Sequence, residues 1–396
     1  YVIERIIDMA ARQLGMDPAE IRRKNLIPAD AMPYRLPTGG GYDCGEFEAV
    51  MDKCIAKADY AGAPARKEEA RARGKLHGIG ISTSVDPSAG PSPETAELRF
   101  DPGGSATIIV GSTAGGQSHE TIYTQIISDR LGLEAETIEV VEGDTSRLSW
   151  GTGTGGARTA TIAGTAVYKA VDKVIEKTTR IAAHLLEAAE ADIEFDAGMF
   201  SITGTDREIS LFDLADVLAG RSDLPEPLAG GLSVIEDNIM ETPVFPNGCH
   251  ICEVEVDPTT GVTEVVRFTA ADDPGIVVNP MIVEGQVHGG IAQGIGQALL
   301  EGCVYDDNGQ LLTGSYMDYA MPRADDFPAF TLDFNEVLCK TNPMGIKGAG
   351  EAGTVGALGC VTNALVNALQ DMGIKHVEMP ATAERLWRLM DEAKAA

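Results

Sequence analysis

Apolar and polar positions alternate along this chain with two different periods. Val2, Ile3, Ile6, Ile7 and Ala10 recur at helical spacing, and Gly15 ends that helix. Asp17-Pro18-Ala19-Glu20 reads as an N-cap, a first-turn proline and a reciprocal carboxylate, so a short helix runs to about Asn25. Residues 28–43 are rich in proline and glycine and read as loop. Residues 47–73 are helical again and end in a charged, alanine-rich boundary. From Leu76 the period shortens to that of strands. Residues 78–82 form one, and 97–100 and 106–110 form a hairpin about Asp101-Pro102-Gly103-Gly104. A helix follows from about Ser118, with Ile122, Tyr123, Ile126, Ile127 and Leu131 on one face and Gly132 as its stop. Residues 138–141 are a strand, and a long helix is expected over 161–187. A hairpin-like stretch at 193–202 precedes a short helix and a Pro/Gly-rich connection within 205–245.

The pattern then returns. Residues 253–256 and 262–269 form a second hairpin with the same Asp-Pro corner, and a helix opened by glycine and glutamine covers 285–300. A last helix places Val355, Leu358, Leu365, Val366, Leu369 and Met372 on one face and stops at Gly373. Hairpin, loop and Gly/Gln-opened helix thus occur twice, a weak internal repeat. The expected fold is α+β: two related units of mixed sheets flanked by helices. The expected boundaries are a helical segment at 1–75, a first unit at 76–240 and a second at 241–396.

Composition narrows the function. The chain has 396 residues, 44% hydrophobic and 23% charged, as in a soluble globular protein. Its net charge of −29, from 60 acidic and 31 basic residues, argues against nucleic acid or an anionic membrane surface as partner. An anionic cofactor would need backbone N–H groups and neutral side chains. No apolar run reaches membrane-spanning length, and no signal peptide is seen. Seven scattered cysteines suit reduced thiols in the cytoplasm. The chain begins at Tyr1 already in a helical pattern, which reads as a piece of something longer.

Three glycine-rich segments carry a neutral hydrogen-bonding side chain near an expected helix start: 115–121, 155–159 and 285–290. Open N–H groups at helix N-termini bind anionic oxygens, and glutamines offer donor and acceptor to a heterocycle. Each segment alone is also an ordinary turn; together they suggest a ligand of phosphate plus heterocycle. A fourth segment, 345–354, sets Lys347 and Glu351 among four glycines. Its alternatives are a substrate-reaching carboxylate before a helix and a plain turn with an exposed Glu–Lys pair. None of these matches a Walker or Rossmann fingerprint. Cys249-His250-Ile251-Cys252 has CxxC spacing but lies in a strand, where residues three apart face opposite sides. His119 and His288 lack ligand-spaced partners, so no protein metal site is expected.

These residues carry a resemblance. Gly116-Gln117-Ser118-His119-Glu120-Thr121 resembles the GQGHET segment of the molybdenum-cofactor subunit of the xanthine dehydrogenase, aldehyde oxidase and carbon monoxide dehydrogenase family. Gly156, Ala157, Arg158 and Thr159 resemble its second cofactor loop, and Gln286 with His288-Gly289-Gly290 its third. Lys347-Gly348-Ala349-Gly350-Glu351 resembles its GxGE loop. The match runs through nearly the whole chain in order and corresponds to the C-terminal part of that subunit.

The resemblance implies two molybdopterin-binding units, the second bearing Glu351 as catalytic base. The cofactor implied is molybdopterin cytosine dinucleotide, whose molybdenum takes no protein ligand. Cofactor contacts are implied at Gly116, Gln117, Ser118, Gly156, Ala157, Arg158, Thr159, Gln286, Lys347 and Gly348. The reaction implied is oxidative hydroxylation of a C–H or CO substrate with oxygen from water. No iron–sulfur or FAD module resembles any part of this chain, so iron–sulfur and FAD subunits are implied partners, in a dimer of heteromers. The upstream half of the molybdenum subunit is implied as a separate chain or missing segment. Ser118, where the family has glycine, is expected to crowd the backbone. The alternatives are a cofactor-binding module inactive without the other half, favoured by an exposed apolar face over residues 1–15, and a generic nucleotide-binding protein.

Overall fold

The computed structural model describes residues 1–90, 92–148, 151–219, 221 and 231–395. Part of the connection expected within 205–245 lies outside the described residues. The chain opens with α1 (Val2–Leu14) and α2 (Pro18–Arg23), a short pair β1 (Tyr34–Arg35) and β2 (Gly41–Tyr42), then α3 (Phe47–Lys57), α4 (Ala63–Ala72) and β3 (Leu76–Val85). The hairpin β4 (Pro93–Asp101) and β5 (Ser105–Val110) leads to α5 (His119–Leu131), β6 (Ile138–Glu142) and α6 (Thr159–Leu185). A small sheet β7 (Ile193–Asp196), β8 (Met199–Ile202) and β9 (Glu208–Ser210), α7 (Leu211–Ala219) and β10 (Ser233–Ile239) follow. The second hairpin, β11 (Asn247–Val256) and β12 (Thr263–Asp273), leads to α8 (Pro280–Leu299), β13 (Thr331–Phe334), α9 (Ala352–Leu369) and α10 (Ala383–Ala395).

These elements form two units. One comprises Tyr1–Pro87, Phe245–Cys339 and Ala349–Ala396, the other Ser88–Val244 and Lys340–Gly348. In the two-segment unit the main sheet runs β10-β4-β5-β6. Its hairpin strands are antiparallel, and β5 and β6 are parallel across the α5 crossover. α6 covers β4 and β10, burying Leu98, Ile108, Val167 and Val171. In the three-segment unit the sheet runs β13-β12-β11-β3. Again the hairpin is antiparallel, and β12 and β13 are parallel with α8 between them in the chain. α9 covers β3 and β11 as α6 covers β10 and β4. The internal repeat in the sequence is therefore a repeated topology.

Glycine decides how closely α9 lies on its sheet. A Cβ at Gly78 or Gly80 of β3 would come within 2.1 Å of the carbonyl oxygens of Ala364 or Cys360. On the other side of α9, a Cβ at Gly290 of α8 would lie 2.9 Å from the Gly353 Cα. Interiors this dense do not accept an added methyl without displacement.

Three expectations change. The strand at Leu76–Val85 does not open the unit that follows it. It pairs antiparallel with Asn247–Val256, Ile81 opposite Ile251, and so shares a unit with the helices before it. A two-residue period marks a strand but names no partner some 170 positions away. α8 begins at Pro280, not Gly285, because Asn279 caps it by accepting from the Ile282 N–H at 3.2 Å. Ala352–Met372 is, by length and composition, apolar enough to cross a membrane, contrary to the sequence reading. Most of it is buried between the three-segment sheet and α8, the position of a core helix.

Candidate functional site

In the two-segment unit, loops far apart in sequence meet. A Cβ at Gly151 would lie 2.4 Å from the Gly111 carbonyl oxygen, and one at Gly153 would lie 3.6 Å from Thr113 Oγ1. The loops leading into α5 and α6 therefore lie side by side. The Ala89 N–H donates to the Gly156 carbonyl at 3.3 Å. Gly348 completes the cradle: a Cβ there would sit 2.3 Å from Ser88 Oγ and 2.4 Å from the Ala157 carbonyl oxygen. The 340–348 segment is folded on itself by Asn342, whose Nδ2 donates to the Ile346 carbonyl at 2.8 Å and whose Oδ1 accepts from the Ile346 N–H at 3.2 Å.

The backbone of this cradle is left-handed at several positions where the resemblance places cofactor contacts. Gly116 has φ +97° and Gly156 φ +62°, while the non-glycine residues Ser118, Ala157 and Ala89 have φ +64°, +50° and +66°. A left-handed residue with a Cβ costs about 1–2 kcal/mol and tends to persist at functional sites. Ser118 therefore stands in a backbone conformation that glycine adopts freely, which explains glycine in the family pattern better than crowding does.

The donors suit an anion. α5 and α6 begin at Ser118 and Arg158, neither of which caps its helix with a side chain. Their first N–H groups remain available, with the helix dipole behind them. Gln117 Oε1 is tied to the Gly115 N–H at 2.5 Å. Arg158 Nη2 donates to the Thr152 carbonyl at 2.6 Å, while its buried Nε has no partner. Thr159 Oγ1 lies 3.1 Å from Thr154 Oγ1. Ser88 Oγ and His119 Nε2 are also buried without partners. An open helix pair, glycine clearance and unpartnered polar atoms fit a phosphate-bearing cofactor.

Behind the α5 loop lies a network that sequence spacing could not reveal. His119 Nδ1 lies 2.9 Å from Glu142 Oε1, and the Ser112 hydroxyl donates to the same oxygen at 2.5 Å. Burial pushes the Glu142 carboxyl up, but the hydrogen bonds from His119 and Ser112 outweigh it and hold the group below its usual value. His119 is thus a buried hydrogen-bond partner of Glu142, and His288 of α8 is bonded to the Glu284 carbonyl at 2.8 Å.

Glu351 and Gln286 fall in the three-segment unit. Glu351 is the N-cap of α9, exposed, and its carboxylate makes no hydrogen bond or ion pair among the described residues. Asp86, missed in the sequence, is half-buried, with Oδ2 unpartnered. Burial and, secondarily, the charge of Glu351 raise its carboxyl above the usual value. Lys347 is only 3% exposed and belongs to the two-segment unit, so its side chain is buried where the sequence reading expected it exposed. Gln286 sits on the second turn of α8, not at a helix start, and the adjacent Gly290 serves α8–α9 packing.

The molybdopterin cofactor-binding domain family matches residues 53–328. The chain is 36% identical over 414 residues to the carbon monoxide dehydrogenase large chain of Hydrogenophaga pseudoflava, covering 100% of this chain and 51% of that one. It is 36% identical over 400 residues to the nicotine 6-hydroxylase large subunit of Paenarthrobacter nicotinovorans, covering 97% and 49%. Among solved structures, the reconstituted CO dehydrogenase from Oligotropha carboxidovorans superposes with a TM-score of 0.91 at 35% identity, covering 99% and 51%. The chain spans about half the length of the relatives it matches. It belongs to the molybdopterin cofactor-binding family of the CO dehydrogenase and xanthine dehydrogenase type.

Proposed function

We propose that this chain is the cofactor-cradling, base-bearing portion of a molybdenum hydroxylase large subunit, working with iron–sulfur and FAD subunits. The observation that carries the proposal is the cradle of left-handed Gly116, Gly156 and Ala157 with Gly348 packed against it, set at the uncapped starts of α5 and α6. Gly116, Gln117 and Ser118 would meet the pterin. Gly156, Ala157, Arg158 and Thr159 would meet the nucleotide phosphates, for which molybdopterin cytosine dinucleotide is the proposed form. Gln286, Lys347 and Gly348 would add contacts from two further segments.

When bound, the cofactor would supply the two-electron redox chemistry. The chain's own part is positioning and proton transfer. Backbone N–H groups at the α5 and α6 starts neutralise phosphate charge without adding a cation to an acidic protein. Glu351 accepts the proton released as oxygen from water reaches the substrate. Its exposed carboxylate is not engaged elsewhere and projects from a helix start, where a substrate can reach it. Denaturing the purified complex should release a fluorescent pterin together with a cytidine nucleotide. Release of an ordinary nucleotide without pterin would contradict the reading.

One observation favours the second reading, a cofactor-binding module inactive without the other half of the subunit. The apolar side of α1 is exposed. Stable folding of the isolated chain with no molybdenum bound, and recovery of metal on adding the missing half, would establish it.

A further inference from the structure

The strand segment Cys249-His250-Ile251-Cys252 splits between the two faces of its sheet. Cys249 and Ile251 pack with Val50 and Cys54 of α3, while Cys252 and Val254 pack with Cys360 and Ala364 of α9. His250 belongs to the α9 face and is fully buried. Its Nε2 lies 3.1 and 3.3 Å from the two carboxylate oxygens of Asp272 on β12. A carboxylate only accepts, so Nε2 carries the shared proton. Nδ1 is buried with no partner. A Cβ at Gly356 of α9 would lie 2.4 Å from Nδ1 and 2.5 Å from Cγ, so the ring rests on bare helix backbone. Ser82, opposite His250 on β3, donates its hydroxyl to the Gly356 carbonyl at 2.6 Å. Phe268 meets the His250 ring edge-on at 5.8 Å, and Gly248 leaves room for the Asp272 carboxylate.

The other side of α9 is equally tight. A Cβ at Gly353 would lie 2.4 Å from the Val287 carbonyl oxygen, and Thr354 Oγ1 donates to the Gly290 carbonyl at 3.0 Å. The first turns of α9 are therefore wedged between α8 and His250. Glu351 stands at that end of the helix, roughly one and a half turns before Gly356. A buried His–Asp pair is a costly filling for a core, since apolar side chains of similar volume are often as stabilising or more so. What the pair supplies is a flat ring whose orientation the carboxylate sets. We propose that His250, oriented by Asp272, is a positioning residue for Glu351. It fixes how closely the start of α9 approaches the sheet, and so where the Glu351 carboxylate projects. The proposal rests on the reading of Glu351 as the base.

The test uses the assembled complex and two changes that act on α9 differently. His250→Leu combined with Asp272→Val removes both partners, strands no buried charge and should leave the thermal midpoint at or above the parent's. Gly356→Ala adds the methyl that the ring excludes. In crystal structures of both, the Glu351 Cα should move by about 1 Å while β11 and β12 superpose on the parent's. A misplacement of that size should cut turnover on the order of 10²-fold. KM and molybdenum per protein should hold, with carbon monoxide and then a small N-heterocycle as probe substrate. A Glu351 that stays in place in the apolar double variant would overturn the proposal without any assay. So would a lowered thermal midpoint or lost molybdenum in that variant, which would make the pair structural. Glu351→Gln, assayed alongside, keeps the two readings apart. Turnover retained by Glu351→Gln contradicts the base. Turnover lost there but retained by the double variant contradicts the positioning alone.

Discussion

In the two-segment unit the helix after the hairpin, α5, starts from a loop with left-handed Gly116 and Ser118 and no side-chain cap. In the three-segment unit the matching helix, α8, starts at Asn279-Pro280, where the asparagine satisfies the Ile282 N–H. The second matching pair differs again. α6 starts uncapped behind left-handed Ala157, and α9 starts with an exposed carboxylate, Glu351. In both sheets an antiparallel hairpin is followed by a parallel third strand, although the fourth strand comes from later in the chain in one (β10) and from earlier in the other (β3), so this shared arrangement does not account for the differences at the helix starts. They show one fold used twice. Helix starts in one unit are left uncapped; in the other, one is capped and the second carries an exposed carboxylate, the proposed base. Two acids make the same contrast. Glu142 is held in its charged form by His119 and Ser112, whereas Asp86 is half-buried with Oδ2 unpartnered.

The largest effect should come from removing the proposed base. Glu351→Gln should lower turnover of the assembled complex by roughly 10²–10⁴-fold, the range for a general base, measured at saturating substrate. Gly348→Val should act in the other unit. Its side chain would meet Ser88 and the Ala157 carbonyl, so molybdenum per protein should fall several-fold and turnover in proportion, by elemental analysis. Glu142→Gln removes a carboxyl whose folded-state pKa is depressed. Its contribution is present above the unfolded value and lost as pH falls through the folded one, so the variant should be about 1–2 kcal/mol less stable near neutrality and equal to the parent in acid. Asp86→Asn should have the opposite sign. A raised carboxyl stabilises below the unfolded value near 3.8 and loses that contribution as pH rises through the folded one, so the variant should gain stability near neutrality, by no more than about 1 kcal/mol after screening. Urea denaturation at a series of pH values would distinguish the two acids.

Much of this was legible in the chain because it is local. Periods, caps and stops placed most helices, and Asp101-Pro102 and Asp257-Pro258 marked both hairpins. The loops at 116–118 and 156–159 stood out because left-handed backbone selects glycine, and Ser118 stood out as a departure from it. What was missed is long-range. Nothing in 76–85 names 247–256 as its partner, and nothing near His119 points to Glu142. Asp86 had no signal, since its burial and its nearness to Glu351 arise only in the fold. Gly290 misled because a glycine that lets two helices pack closely looks the same in sequence as one that opens a loop.

The most direct test of the division between the units is the molybdenum-to-protein ratio of Glu351→Gln and Gly348→Val, purified side by side with the parent complex. The account predicts a parental ratio with turnover lost for Glu351→Gln, and a reduced ratio for Gly348→Val. A ratio that falls for Glu351→Gln, or holds for Gly348→Val, would contradict it.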